Sequence, residues 1–394
     1  MFSSKCGPAL YRAAMSERRF CFLLRCLRFD DLATREQRKE NDKFAPIRKV
    51  WDLFIAQCKS GYTPGAHITI DEQLLGFRGR CPFRMYICNK PARYGIKIIM
   101  ICDVETKYML GAMPYLGKHT KPPQGMSLGH FVTLQLVEPY KHTNRNITGD
   151  NWFTSMQLVN DLLQNYGLTY VGTLRLNKPY TPQVMTDKKV IPRGCTAFLY
   201  DRALTMLSYH PDKKKTKFVQ LMSTMHYQPV IEANGKPEVV ICYNKTKGGV
   251  DAFDQMCARY SCSRKTKRWP LCVFYGMLNA AIINAWIIYN RMQKDRGQPE
   301  MERRIFMMKL AEDLIFPWAK DRMSFQGMHR SSQMTIKDVY SINLPHQQPA
   351  QGNNSMKRCA FCTRKKDRKT RQQCIHCLRP VCVEHAKPIC CDCI

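Results

Sequence analysis

The sequence predicts a mixed α/β sheet, then a long helical region and a small cysteine-rich module. Three observations carry that prediction. Short β-rich runs alternate with helical periodicity between residues 67 and 175. Apolar helical stretches fill residues 270–320. Eight of the 20 cysteines crowd into residues 359–394.

The chain opens with helices. Ser16 suits an N-cap, and Phe20, Leu23, Leu24 and Leu27 follow on one helical face. Ile47, Val50, Trp51, Phe54, Ile55 and Cys58 mark a second helix that Gly61 stops. Residues 67–71 alternate like a strand ending at Asp71. Residues 96–103 form a β-rich run, 103–107 a turn, and 108–113 the returning strand. Residues 146–150 read as a short strand, 153–163 as a helix and 169–174 as a strand. The less regular stretch 176–238, with its basic run at 212–217, reads as an insertion. Residues 237–243 then return as a strand, Gly248-Gly249 breaks the chain, and a helix starts near Val250. Residues 343–356, rich in Pro, Gln and Asn, read as a linker.

Charge narrows the function. Lys+Arg number 62 against 31 Asp+Glu, for a net +31 and a pI near 9.6. Such an excess seeks a polyanion, and nucleic acid fits it better than an acidic membrane or protein. No signal peptide is visible at the N-terminus. Residues 271–289 are apolar enough for a membrane check, but Asn279 and Asn284 interrupt them, which favours a buried helix. The 12 scattered cysteines read as reduced core thiols.

Acidic residues at strand ends stand out in so basic a chain. Phosphoryl transfer with two metal ions needs several carboxylates converging on one point. Asp71 and Asp150 each follow β-like residues. Asp251 and Asp254 sit three apart in a helix whose apolar stripe is Val250, Phe253, Cys257 and Tyr260, so both flank the buried face. An Asp at a strand end is also a common turn residue, and spacing alone does not choose Asp71 over Asp103.

Four blocks resolve the choice. They are Ile70-Asp-Glu-Gln-Leu-Leu-Gly-Phe-Arg-Gly-Arg80, Asp150-Asn-Trp-Phe-Thr-Ser155, Lys247-Gly-Gly-Val-Asp-Ala-Phe-Asp-Gln-Met256 and Cys262-Ser-Arg-Lys-Thr-Lys-Arg-Trp-Pro270. In this order they resemble the catalytic blocks of piggyBac transposases, and the similarity extends over nearly the whole chain. The resemblance implies an RNase H-like mixed sheet with an inserted β-rich domain, flanked by helical dimerisation and DNA-binding sequence. It implies a catalytic triad of Asp71, Asp150 and Asp251, with Asp254 as a fourth acidic position. It also implies two catalytic Mg²⁺ (or Mn²⁺) ions and metal-dependent cleavage and strand transfer of transposon ends at TTAA sites. The implied partners are double-stranded DNA carrying terminal inverted repeats and a second copy of the chain; the implied location is the nucleus, with no membrane.

Basic and aromatic neighbours fit a DNA end. In the run 264–268, Arg264, Lys265, Lys267 and Arg268 precede Trp269: cations hold phosphates and a ring stacks on an unpaired base. The bland alternative is a solvated segment before a core Trp. Arg175 and Lys178 follow a strand near the second block and are candidate phosphate contacts.

At the C-terminus, Cys359/Cys362, Cys374/Cys377, Cys382/His385 and Cys390/Cys393 form four pairs with two-residue gaps, enough for two closed, structural Zn²⁺ sites. The expected cross-brace joins Cys359, Cys362, Cys382 and His385 at one ion, and Cys374, Cys377, Cys390 and Cys393 at the other. Spacing does not fix the pairing, and Cys391 or His376 are alternative ligands. The family resembled ends in a similar module. The basic stretch 364–371 would face phosphates or serve nuclear import.

The expected domains are a partial helical dimerisation and DNA-binding domain (1–66), the catalytic core (67–175), an insertion (176–238) and the core's closing strand and helix (239–260). A helical dimerisation and DNA-binding region (261–330), a linker (331–356) and the zinc module (357–394) complete the chain. Only 70 residues precede Asp71, fewer than the family pattern, so a fragment, a truncated gene model or a domesticated derivative is also expected among the readings. The rivals to an active transposase are a domesticated DNA-binding protein without mobility and a zinc-module protein reader on a transposase scaffold.

Overall fold

The computed structural model describes residues 1–3, 5–175, 178, 180–212, 217–325, 328–341, 356–374 and 379–386. The chain divides into two units, Arg28–Phe306 and Met1–Leu27 with Met307–Ile394. Helices α1 (Ala9–Ala14) and α2 (Glu17–Cys26) open the smaller unit. In the larger one, α3 (Arg35–Asn41) and α4 (Arg48–Ser60) lead into β1 (His67–Gly76), β2 (Arg84–Tyr86), β3 (Tyr94–Asp103) and β4 (Met109–Pro114). Next come α5 (Leu128–Val137), β5 (Asn146–Gly149), α6 (Met156–Gln164) and β6 (Thr169–Thr173). Strands β7 (Thr196–Asp201), β8 (Leu204–Tyr209) and β9 (Val219–Ser223) precede α7 (Glu238–Thr246), α8 (Gly249–Arg259) and α9 (Trp269–Asp295). Helices α10 (Arg303–Met323) and α11 (Arg330–Tyr340) and the short pair β10 (Lys357–Arg358) and β11 (Lys369–Thr370) follow.

Nine strands of the larger unit form one mixed sheet in the order β2-β3-β1-β5-β6-β9-β8-β7, with β4 also paired to β3. Strands β1, β5 and β6 are parallel to one another; the remaining pairs are antiparallel. Strand β3 is buried along nearly its whole length, as its unbroken Ile/Met run requires. Helix α8 packs on β1 and β3, α5 on β3 and β4, and α4 on β4. The apolar side of α4 contributes Trp51, Ile55 and Cys58 to the core.

Helix α9 is long and apolar enough to cross a membrane by length and composition, and half of its most apolar window is buried in this fold. Its asparagines explain why the run is interrupted. Asn284 both accepts from the Met109 N–H and donates to the Met109 carbonyl, each at 3.0 Å, and Asn279 accepts from the Cys262 N–H at 2.9 Å. Each satisfies backbone that burial would otherwise leave unpaired.

Two expectations are corrected. Asp71 does not end its strand: β1 runs on to Gly76, because the polar Asp71-Glu72-Gln73 still pairs with Met100, Ile99 and Ile98 of β3. Residues 237–243 are not a strand. Pro237 caps α7, whose Val239 and Val240 pack into a cluster with Val171 and Leu221, so tertiary burial overrides the β-propensity of the valines. Within residues 176–238, strands β7, β8 and β9 join the main sheet through the β6–β9 pairing. Helix α2 forms with Ser16 as its cap, yet none of its residues is buried. Lys213 to Lys215 and residues 343–355 lie outside the described residues; Lys217 is exposed.

In the smaller unit Ala13, Ala319, Met323 and Ile336 form a core of their own. The Trp318 indole N–H donates to the Ala14 carbonyl at 2.7 Å.

Candidate active site and metal centre

The parallel pairing of β1 and β5 sets Ile70 beside Gly149, so the next residues, Asp71 and Asp150, emerge side by side. The third carboxylate arrives on α8. A Cβ on Gly249 would stand 2.2 Å from Thr69 Cγ2, so glycine alone lets this helix sit so close to β1. The Thr69 hydroxyl donates to the Lys247 carbonyl at 3.2 Å and ties the junction down. Asp251 follows two residues later. Asp71, Asp150 and Asp251 line one cleft of about 230 Å³ together with Tyr243, Lys247, Thr69 and Thr148.

The cleft disfavours negative charge until something offsets it. Burial pushes the Asp71 carboxyl up to about 8, and repulsion from Glu72, Asp150 and Asp251 adds to it. Burial also raises Asp150, although the Trp152 backbone N–H donates to its Oδ1 at 2.9 Å. Carboxylates that share one cleft, Asp71 and Asp150 partly dehydrated and Asp251 exposed, suit a divalent cation with hard oxygen ligands.

Asp254 stands one turn on. It does not line the cleft; its Oδ1 accepts from Gln73 Nε2 at 2.9 Å, and burial raises its carboxyl. Four neighbours escaped the sequence reading. Glu72 follows Asp71 on the strand. Lys90 donates to the Glu72 carbonyl at 2.9 Å and stands 3.5 Å from Asp251. Lys97 is buried between Glu72 and Trp152. Tyr243 enters on α7. The only sequence signal was a charged residue, Lys97, inside an otherwise apolar strand.

The same unit holds two basic clefts. Arg175 and Lys178 line one of about 590 Å³ with Trp152 and Tyr180, and Arg175 Nε donates to Asn151 Oδ1 at 3.2 Å. Arg264, Lys265 and Lys267 line a larger one of about 1450 Å³ that also holds Arg78, Arg80 and Arg84. Arg268 does not line it, and burial and the nearby Arg28 and Arg35 lower its pKa. The Trp269 ring packs 5.0 Å from Phe83 and 5.5 Å from Phe44, centroid to centroid, so much of it belongs to an aromatic cluster.

In the smaller unit Cys359, Cys362, Cys382 and His385 come together, with all four ligand atoms within 4.8 Å of one another. Cys362 Sγ lies 3.6 Å from Cys382 Sγ, and His385 Nδ1 lies 3.7, 3.7 and 3.2 Å from the sulfurs of Cys359, Cys362 and Cys382. Ligands placed tetrahedrally around zinc stand about 3.5–3.8 Å apart, so this group fits one ion. Cys374 is buried nearby, while Cys377, Cys390 and Cys393, with Cys391 and His376, lie outside the described residues.

A family model described as transposase IS4 matches residues 1–286. A solved piggyBac transposase synaptic complex with hairpin DNA matches all of this chain and 83% of its own, at 44% identity and a TM-score of 0.87. The chain belongs to the piggyBac transposase family. Two human proteins, PiggyBac transposable element-derived proteins 3 and 2, are 23% and 22% identical over 284 and 267 residues, or 67% and 63% of this chain. The chain spans about half the length of these curated relatives, 47% and 45%.

Proposed function

We propose that this chain is a metal-dependent DNA transposase that cleaves and transfers transposon ends. The observation that carries the reading is the single cleft shared by Asp71, Asp150 and Asp251. The strand order β4-β3-β1-β5-β6, antiparallel and then parallel, supports an RNase H-like core, with β7–β9 as its insertion.

Asp71, Asp150 and Asp251 would hold two Mg²⁺ or Mn²⁺ ions, with Asp254 as an outer acidic neighbour. Such ions, when bound, lower the pKa of an attacking hydroxyl and offset charge on the scissile phosphate. The chain's own residues do the rest. Gly249 and Thr69 hold Asp251 against the strand. Gln73 orients Asp254, and the Trp152 N–H orients Asp150. Arg78, Arg80, Arg264, Lys265 and Lys267 present cations to the DNA backbone beside the cleft. On this reading the chain acts in the nucleus as a homodimer on double-stranded terminal repeats and TTAA targets. Its domains follow the sequence-predicted limits, with the helices α7 and α8 closing the core in place of a strand and a helix, and two structural zinc ions complete the C-terminal module.

Incubation with Mg²⁺ and a terminal-repeat duplex tests the proposal. Wild type should nick and form a hairpin, and Asp150→Ala should not. The rival reading, a domesticated DNA-binding derivative, is favoured by the human relatives, whose names describe them as element-derived. It predicts tight binding of the same duplex with no cut strand.

A further inference from the structure

Lys97 is a lysine inside a buried strand. It is 8% exposed and sits at the Leu74 register position of the β1–β3 pair. Its ammonium stands 4.4 Å above the Trp152 ring, 5.7 Å from the Tyr115 ring centre and 3.7 Å from Glu72 Oε2. Burying an ammonium is costly, and replacing a buried ion pair as a whole by well-packed apolar side chains is often neutral or stabilising, so stability alone does not demand the Lys97–Glu72 pair. A structural role alone does not call for a charge here.

The geometry gives the charge a task. Alternation along β1 places Asp71 and Gln73 on the face that meets α8, where Gln73 reaches Asp254. Glu72 points to the opposite face and meets Lys97 diagonally across the strands. Trp152 folds back onto that ammonium from the turn that follows β5. The same Trp152 donates its backbone N–H to Asp150. Lys97 therefore joins the residue after Asp71 to the residue that orients Asp150. The two carboxylates come from different strands, and this cation bridges their supports on the far side of the sheet.

We infer that Lys97 is a positioning residue of the aspartate cleft, setting the spacing of Asp71 and Asp150 through Glu72 and Trp152. The inference rests on the reading of that cleft as the metal-dependent site. It makes a prediction whose sign is informative. By Coulomb's law, removing a cation near carboxylates should tighten a divalent ion. Loss of positioning should weaken it, as changes to the outer partners of metal ligands do by about 10- to 100-fold.

The test is calorimetric titration of the zinc-loaded full chain with Mn²⁺ alone, alongside thermal melting and cleavage at saturating DNA. Lys97→Met leaves Glu72 unpaired and should melt lower; measured well below its melting temperature, it should bind Mn²⁺ at least about tenfold more weakly and cleave more slowly with unchanged DNA affinity. Lys97→Arg, which keeps a cation over Trp152, should recover most of the Mn²⁺ affinity. Trp152→Leu combined with Lys97→Met should be little worse than either alone, because both act on one support. Unchanged or tighter Mn²⁺ binding in Lys97→Met, or full additivity of the pair, overturns the inference. Absent Mn²⁺ binding by wild type, or equal binding by Asp150→Ala, overturns the metal-site reading instead.

Discussion

Replacing Gly249 by alanine tests the packing that delivers Asp251 to the cleft. The new Cβ would meet Thr69 Cγ2 at 2.2 Å, more than 1 Å inside ordinary contact, with the Asp103 carbonyl 3.7 Å away. Thr69 has little room to yield. It is 1% exposed, and rotating it forfeits the hydrogen bond to Lys247. Helix α8 must therefore move outward by about an ångström. Overpacking of this kind costs about 1–3 kcal/mol of stability. A carboxylate misplaced by about 1 Å costs on the order of 100-fold in rate. Thr69→Ser removes the clashing methyl and keeps the hydroxyl, so Gly249→Ala with Thr69→Ser should regain most of both losses. Thermal melts and the rate of terminal-repeat nicking read the two quantities. A fully active and stable Gly249→Ala, or a double variant no better than the single, refutes the close-packing argument.

Further outcomes follow from the same geometry. The Asp71 carboxyl titrates at about 8 in the fold against an ordinary 3.8, so metal-free protein should lose stability as pH rises through that window. Asp71→Asn should flatten that decline in denaturant melts at about pH 5 and about pH 8.5. Cys382→Ser should lower bound zinc by one ion per chain in elemental analysis and leave Mn²⁺ binding at the aspartates unchanged. Arg78→Ala, Arg80→Ala and Lys265→Ala should weaken DNA binding, each reducing the slope of log affinity against log salt by about 0.9 if it contacts one phosphate. Filter binding at several salt concentrations checks this, and unchanged slopes would remove the larger basic cleft from the DNA path.

Much of this was legible in the sequence, for identifiable reasons. The hairpin turn at Asp103 could be read because its residues are local: the carboxylate accepts the Thr106 N–H at 2.8 Å and the Thr106 hydroxyl at 2.7 Å. Asp71 resembles it in the sequence, and only the motif around it separated the two. The grouping of Cys359, Cys362, Cys382 and His385 matches the expected cross-brace; the closely spaced pairs marked these residues as ligands, while spacing left their pairing open. The length of β1 was misread because Asp71, Glu72 and Gln73 break the apolar alternation while their backbones continue to pair. Helix α7 was misread because adjacent valines look like a strand until their neighbours are known. Lys90 and Lys97 were missed for a related reason. Lys90 acts from a loop on β1 and α8, and Lys97 acts between strands. Neither relation has a local signature.

The most direct test of the account is a crystal of the protein soaked in Mn²⁺, with anomalous scattering used to locate the ions. The account predicts Mn²⁺ in the cleft, with Asp71, Asp150 and Asp251 oxygens at roughly the 2.0–2.2 Å typical of such ligands. Mn²⁺ bound elsewhere while those three carboxylates stay free of it would contradict the claim that they form one metal-binding site.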